Sequence, residues 1–222
     1  MPGAIGFDIY GTLVDPLKMN ERMRPLIGDG LADRFSELWR DKQIEYTFRR
    51  ALMRRYEDFG VCTRQALVHT ASVLGVNLAA KEQERLIEDY QNLRPFPDVI
   101  PGIEVLKSKD RALVAFSNGV EATTRTLLEN AGVLEHLHGV ISVDDVKSFK
   151  PDPEVYHYLA RRLGTEPSDT WLVSSNPFDV IGAKAAGLAA AWIRRKPDAQ
   201  FDPWGIEPDL VAPDLKALAE RL

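Results

Sequence analysis

Apolar residues in this chain gather in short, nearly unbroken runs rather than alternating with polar ones. Residues 4–7, 112–116, 140–143, 171–173 and 189–193 are such runs, and each reads as a strand buried on both faces. Helical patterns lie between them. Residues 121–131 end at Gly132, and residues 153–163 open on Pro153 and end at Gly164. A further helix after Asp179 carries Ala183, Ala185 and Ala186 and closes at Gly187. Proline suits a first helical position and glycine a helix stop. Strands alternating with helices imply parallel pairing through right-handed crossovers, hence an α/β doubly wound, Rossmann-like sheet.

Residues 16–94 break that rhythm. Residues 33–59 contain neither proline nor glycine and place Phe35, Leu38, Trp39, Tyr46, Met53 and Tyr56 at mostly helical spacings. Thr63 is positioned to cap a helix through Leu74, and residues 81–93 predict another. No strand pattern occurs in this stretch, so it reads as an all-helical cap inserted after the first strand. The proline-rich segment from Pro95 to Pro101 marks the return to the core. The division expected is a catalytic core of residues 1–15 and 95–222, with a cap of residues 16–94.

A parallel sheet binds ligands at the carboxyl ends of its strands. The first run ends in Asp8, followed by Tyr10 and Gly11-Thr12; the second ends in Ser117-Asn118-Gly119; the fourth ends in Ser174-Ser175-Asn176, with Asp179 three residues on. Lys150 comes after the third run, just before Pro151. Taken alone, Asp8 fits a nucleophilic carboxylate or an Asx-turn equally well. Serine and asparagine are ordinary loop and cap residues, and a lone lysine is usually solvated. Four polar stops on one sheet edge point to an active site.

A net charge of −5 disfavours nucleic acid or an anionic membrane as the main partner. The single cysteine, Cys62, permits no internal disulfide and no cysteine-built metal site, which suits a reducing compartment. No run approaches a membrane span, and no export signal is apparent at the N-terminus, so a cytoplasmic protein is expected. His136 and His138, near a helix end, are expected to be solvated.

Asp8 with Gly11-Thr12, Ser117-Asn118, Lys150-Pro151 and Asp179 resemble the four ordered motifs of the haloacid dehalogenase superfamily. Residues 7–13, 38–47, 116–119 and 173–179 are similar in particular to L-2-haloacid dehalogenases. The alternative within the superfamily is a Mg²⁺-dependent phosphatase, which places a second aspartate two residues after the nucleophile. Here that residue is Tyr10, whose ordinary pKa of about 10 makes it a poor acid near neutrality. Halide leaves without a proton. Ser174-Ser175 also stand where such phosphatases carry an acidic residue for the metal. Asp144 and Asp145 are conceivable extra ligands, but are expected to cap the next turn. A metal-free, cofactor-free halide displacement is therefore expected, with a non-catalytic binding protein as the remaining alternative.

The resemblance also implies a role for each residue. Asp8 attacks C2 of a 2-haloalkanoic acid, and halide leaves toward Arg40 and Asn118. Arg40 could otherwise form a surface ion pair with Glu37 or Asp41. Ser117, Lys150 and the backbone amides after Asp8 hold the substrate carboxylate. Asp179 activates water against the resulting ester, with Ser174 and Asn176 placing it, and Thr12 and Tyr156 support the network. Ile9, Tyr10, Ile44, Phe59 and Phe178 contribute to substrate binding. Asp41 and Phe178 depart from the family's usual glutamine and tryptophan. A homodimer is also implied.

Overall fold

The computed structural model describes residues 3–222; the expected core segment from residue 1 therefore includes two residues outside that range. In chain order the elements are β1 (Ala4–Phe7), α1 (Met19–Ile27), α2 (Asp29–Met53), α3 (Phe59–Val73), α4 (Ala80–Asp89) and α5 (Val99–Lys107). They continue with β2 (Leu113–Ser117), α6 (Glu121–Asn130), β3 (Gly139–Ser142), α7 (Pro153–Leu163) and β4 (Thr170–Ser174). The chain finishes through α8 (Pro177–Ala185), β5 (Ala189–Ile193), β6 (Leu210–Ala212) and α9 (Leu215–Ala219). All six strands pair in parallel in the order β3-β2-β1-β4-β5-β6. The α/β doubly wound expectation holds, with the five apolar runs placed to within a residue or two. The sixth strand was not expected.

β1 sits in the middle of the sheet and feeds the site from its carboxyl end. Ile5 and Phe7 point into the core that continues under the cap, with Leu113, Ala115, Ile193 and Leu215. The opposite face holds Val114, Phe116, Tyr156, Leu159, Leu172 and Ala190. Gly6 faces that second side, and a β-carbon there would meet Leu159 Cδ2 at 2.7 Å. The missing side chain lets α7 settle onto the sheet, which carries Tyr156 to the site.

The cap is helical, as expected, but its breaks fall elsewhere. α2 starts at Asp29 and stops at Met53, where Arg54 takes a left-handed conformation with φ of 54°. Asp58 caps α3 by accepting from Val61 N at 3.0 Å. Thr63 is therefore not the cap; its hydroxyl donates to Phe59 O inside the helix. Trp39 locks α2 to α3 by donating from Nε1 to Thr63 O at 2.9 Å. It also packs edge-on against Tyr90, with ring centroids 4.8 Å apart. The two connectors between cap and core run side by side: Phe96 N donates to Leu13 O at 3.0 Å, and Val14 bridges Pro95. No helix among the described residues is long and apolar enough to cross a membrane.

Candidate active site

Asp8 emerges from β1 with its backbone N donating to Val173 O at 2.9 Å. The chain then turns back at once, as Thr12, Leu13 and Val14 all donate to Ile9 O. Gly11 makes that turn possible with φ of +90°. Ile9 N and Tyr10 N, directly after Asp8, have no acceptor among the described residues. Asp8 itself is buried except for a small part of its side chain.

The two oxygens of Asp8 are not equivalent. Oδ2 accepts from Thr12 Oγ1 at 2.8 Å, Asn176 Nδ2 at 2.8 Å and Ser174 Oγ at 3.3 Å. Oδ1 accepts only from Lys150 Nζ, at 3.0 Å. An oxygen with three donors has its lone pairs spoken for. Oδ1 is the freer of the two.

Lys150 is 2% exposed. It also donates to Asp179 Oδ2 at 2.9 Å and Phe116 O at 3.0 Å. All three of its N–H bonds are committed within the protein. Burial alone would lower the pKa of Lys150, but Asp179 and Asp8 outweigh it and hold the ammonium above its ordinary value. Asp179 has no exposed surface and takes Tyr156 OH on Oδ1 at 2.8 Å. Burial raises its pKa; Lys150 opposes that shift, and Asp8 adds to it. Burial likewise pushes the Tyr156 hydroxyl up, with Asp179 adding to the effect.

Ser117 Oγ accepts from Gly119 N at 2.9 Å and Thr124 Oγ1 at 3.4 Å, leaving its own proton to donate elsewhere. Asn118 Oδ1 accepts from Lys150 N at 3.0 Å; its Nδ2 has no partner among the described residues. The cap delivers Arg40 above the turn. Its Nη2 reaches Tyr10 O at 3.3 Å, its Nη1 donates to Gln43 Oε1 at 2.6 Å, and Cζ stands 5.7 Å from the Tyr10 ring centroid. Neither Glu37 nor Asp41 forms an ion pair with it among the described residues. Tyr10 lies against Phe59, with centroids 5.4 Å apart, and burial raises its pKa above the ordinary range.

Not every expected residue converges. Ile9 is fully buried within the core, so only its backbone faces the site. Ile44 lines a cleft of about 600 Å³ with Tyr10, Arg40 and Asn176. Phe178 lines a different cavity, beyond that cleft. Asp144 and Asp145 neither cap the turn, which Ser142 does, nor approach Asp8. They accept instead from Tyr56 and Tyr158. His136 pairs with Glu104 at 2.5 Å, and His138 Nδ1 accepts from Leu113 N at 2.9 Å, so neither is simply solvated.

Two supporting residues were not expected from the sequence. Gln43 fixes Arg40 while donating to Thr63 Oγ1 at 2.6 Å; its i+3 position from Arg40 was the available signal. Arg195 donates to Thr12 O at 2.5 Å and Asp98 Oδ1 at 2.6 Å, and stacks on Phe96 with Cζ 4.0 Å from the centroid. It braces the turn after Asp8 against the returning connector. No local pattern announced it.

A family profile described as hydrolase, haloacid dehalogenase-like hydrolase, matches residues 2–187. The chain belongs to the haloacid dehalogenase-like hydrolases. Its likeness is to the L-2-haloacid dehalogenase branch of that superfamily. It is 36% identical to the (S)-2-haloacid dehalogenase of Pseudomonas sp. (strain YL), over 97% of this chain and 92% of that one. It is also 36% identical to haloacetate dehalogenase H-2 of Moraxella sp. (strain B), over 99% and 97%. The structure of L-2-haloacid dehalogenase from Xanthobacter autotrophicus with chloropropionic acid covalently bound superposes with a TM-score of 0.92 at 31% identity. That match covers 99% of this chain and 98% of that one.

Proposed function

We propose that this protein is an (S)-2-haloacid dehalogenase that converts L-2-haloacids to D-2-hydroxyacids through an ester on Asp8. The observation that carries the reading is the inequality of the two Asp8 oxygens. Oδ1 attacks C2 from the side opposite the halogen; the new O–C bond forms as the C–halogen bond breaks, and the configuration inverts. Arg40 and the Asn118 amide receive the halide. Ser117 and the unpaired N–H groups of Ile9 and Tyr10 hold the substrate carboxylate.

Once Oδ1 carries the ester, Oδ2 is its carbonyl oxygen. Thr12, Ser174 and Asn176 already surround it as donors. When water adds to the Asp8 carbonyl carbon, the negative charge develops on Oδ2, where three preorganised donors stabilise it. Asp179, made more basic by burial, takes the proton from that water. The bond from the Asp8 carbonyl carbon to Oδ1 then breaks, Asp179 returns the proton to that departing oxygen, and the hydroxyacid leaves as Asp8 regains a carboxylate opposite Lys150, its remaining proton released to solvent. Tyr156 fixes the orientation of Asp179.

The donor set does not fit the divalent cation of a phosphatase. Two carboxylates face each other with the Lys150 ammonium between them, and Tyr10 supplies no carboxylate. Among the described residues no group of three or more His, Cys, Asp or Glu is arranged to hold a metal ion. A divalent cation favours six or more oxygen ligands, and an ammonium already neutralises this pair.

The test is incubation with racemic 2-chloropropionate in excess EDTA, following chloride release and product chirality. Chloride with D-lactate supports the reading. Phosphate release from small phosphoesters on adding Mg²⁺, without chloride, would sink it. A single turnover in ¹⁸O water separates ester formation from direct attack: label enters Asp8 before it enters product.

A further inference from the structure

Between the cap helices α2 and α3 lies a buried glutamine that packing does not explain. Gln43 has no exposed surface, and Thr63 opposite it is 4% exposed. An apolar side chain of the same length would fill that space without an amide to desolvate. Both ends of the amide are used in a relay that starts in the active site. Arg40 Nη1 donates to Gln43 Oε1 at 2.6 Å, and Gln43 Nε2 donates to Thr63 Oγ1 at 2.6 Å. The Thr63 hydroxyl then donates to Phe59 O at 2.7 Å.

The direction of this relay is forced from both ends. A guanidinium only donates, a backbone carbonyl only accepts, and a hydroxyl has a single proton. With that proton on Phe59 O, Thr63 must accept from Gln43, and the amide must turn its oxygen to Arg40. Trp39 holds Thr63 by a second bond, donating from Nε1 to its carbonyl at 2.9 Å. Trp39 and Gln43 are four residues apart and so share one face of α2. The relay also returns to the site. The Phe59 ring lies 5.4 Å from that of Tyr10, and Tyr10 O accepts from Arg40 Nη2 at 3.3 Å. Two of the five guanidinium N–H groups are thereby committed, and the other three make no hydrogen bond among the described residues.

We propose that Gln43 and Thr63 are positioning residues for halide departure: the amide oriented by Thr63 fixes the plane of Arg40, so that its free N–H groups meet the leaving halide. Neither residue touches substrate. The proposal rests on the haloacid reading of the Asp8 site. A planar fork serves an anion in one orientation only, and a long side chain left to itself samples many. Holding it in place beforehand means that no reorientation is needed as the C–halogen bond breaks. The relay also keeps Arg40 from turning to Glu37 or Asp41, the two exposed carboxylates that line the same cleft.

The test follows lactate from L-2-chloropropionate, with bromide or propionate added as inhibitor, in the wild type, Thr63→Val and Thr63→Ser. Bromide reads the Arg40 end of the site; propionate, which carries no halogen, reads the carboxylate end. Thr63→Val keeps the shape and removes the acceptor, so the amide is free to turn its NH2 group toward Arg40. Its bromide inhibition constant should rise roughly five- to tenfold and its kcat fall roughly ten- to thirtyfold, with KM and the propionate constant nearly unchanged. Thr63→Ser keeps the hydroxyl and should stay within about twofold of the wild type. Thr70→Val is the control: Thr70 is also fully buried on α3, but its hydroxyl has no partner, and its loss should move neither constant. Equal weakening of bromide and propionate inhibition in Thr63→Val overturns the proposal, as do wild-type kinetics in that variant. So does a Thr63→Ser or Thr70→Val enzyme as impaired as Thr63→Val. Absence of lactate from the wild type would sink the haloacid reading, and this proposal with it. Should Thr63→Val fail to fold, Gln43→Met gives the same readout, because it leaves the Thr63 hydroxyl bonded to Phe59 O.

Discussion

The Lys150 knot and the Arg40 cleft lie within one site yet are built on opposite principles. In the knot, a buried ammonium is shared by Asp8, Asp179 and a backbone carbonyl. In the cleft, a half-buried guanidinium rests on a carbonyl, a glutamine and an aromatic face. The knot belongs to the sheet edge and is part of the fold's stability. The cleft is brought by the cap and is free to respond to a ligand. A buried ion set tolerates no missing partner, because removal strands a charge in low dielectric. A half-exposed arginine can be lost without such a cost.

Lys150→Met tests this difference most severely. It leaves Asp8 and Asp179 buried without a counter-charge, so the fold should lose about 3–5 kcal/mol in urea denaturation at pH 7. Activity should drop on the order of 10³-fold or more, as one carboxylate takes a proton. The pH dependence carries a sign. Because the folded-state pKa of Lys150 is raised above its ordinary value of 10.5, its contribution is fully present below pH 10.5. It is lost as pH rises through the folded value, so the part of the gap that comes from the ammonium should narrow on that alkaline side.

Arg40→Lys should invert the pattern. Stability should change by less than about 1 kcal/mol, while kcat/KM falls roughly 10²- to 10³-fold, since a lysine lacks the fork that spans two acceptors and an anion. A stability loss matching that of Lys150→Met would erase the distinction. Asp179 offers a related check within the knot. Its raised pKa should place the acid limb of ester hydrolysis above the ordinary carboxylate value of about 3.9, as measured by single-turnover rates across pH.

Much of the sheet edge was legible because strands buried on both faces are written as apolar runs, and whatever ends such a run stands at the ligand-binding side. Asp8, Ser117 and Ser174 were placed at that edge in this way. Lys150 was placed there too, but a sequence shows a charge without showing how many of its donors are taken. The break after Met53 was hidden because no proline or glycine marks it; Arg54 adopts the left-handed turn and Asp58 caps α3. β6 was missed because three residues, with Val211 exposed, make no run. Arg195 lies 183 positions from Thr12, a contact that only the folded chain creates.

Arg195→Met probes whether the nucleophile turn is held by its own hydrogen bonds or needs that distant brace. Without the donor to Thr12 O, the turn should shift by a fraction of an ångström. The expected result is a kcat lowered roughly ten- to a hundredfold with KM little changed. Arg195→Lys should recover part of the rate, because it restores a donor without the bidentate reach. A fold that merely loosened would lower Tm without separating kcat from KM.

The smallest effect tests the cleft's mouth. Asp41 is exposed and lines the same opening as Arg40 and Ile44, yet it has no ion pair there among the described residues. An unpaired carboxylate beside a path for anions repels both the incoming haloacid and the outgoing halide, but through water and counterions rather than through protein. Asp41→Gln should therefore lower KM by roughly two- to threefold at low ionic strength, with kcat nearly unchanged. The gain should shrink toward nothing as salt shortens the screening length to about 8 Å and below. A salt-independent change in kcat would mean that Asp41 acts on Arg40 itself, and the cleft would then share the knot's coupling instead of contrasting with it.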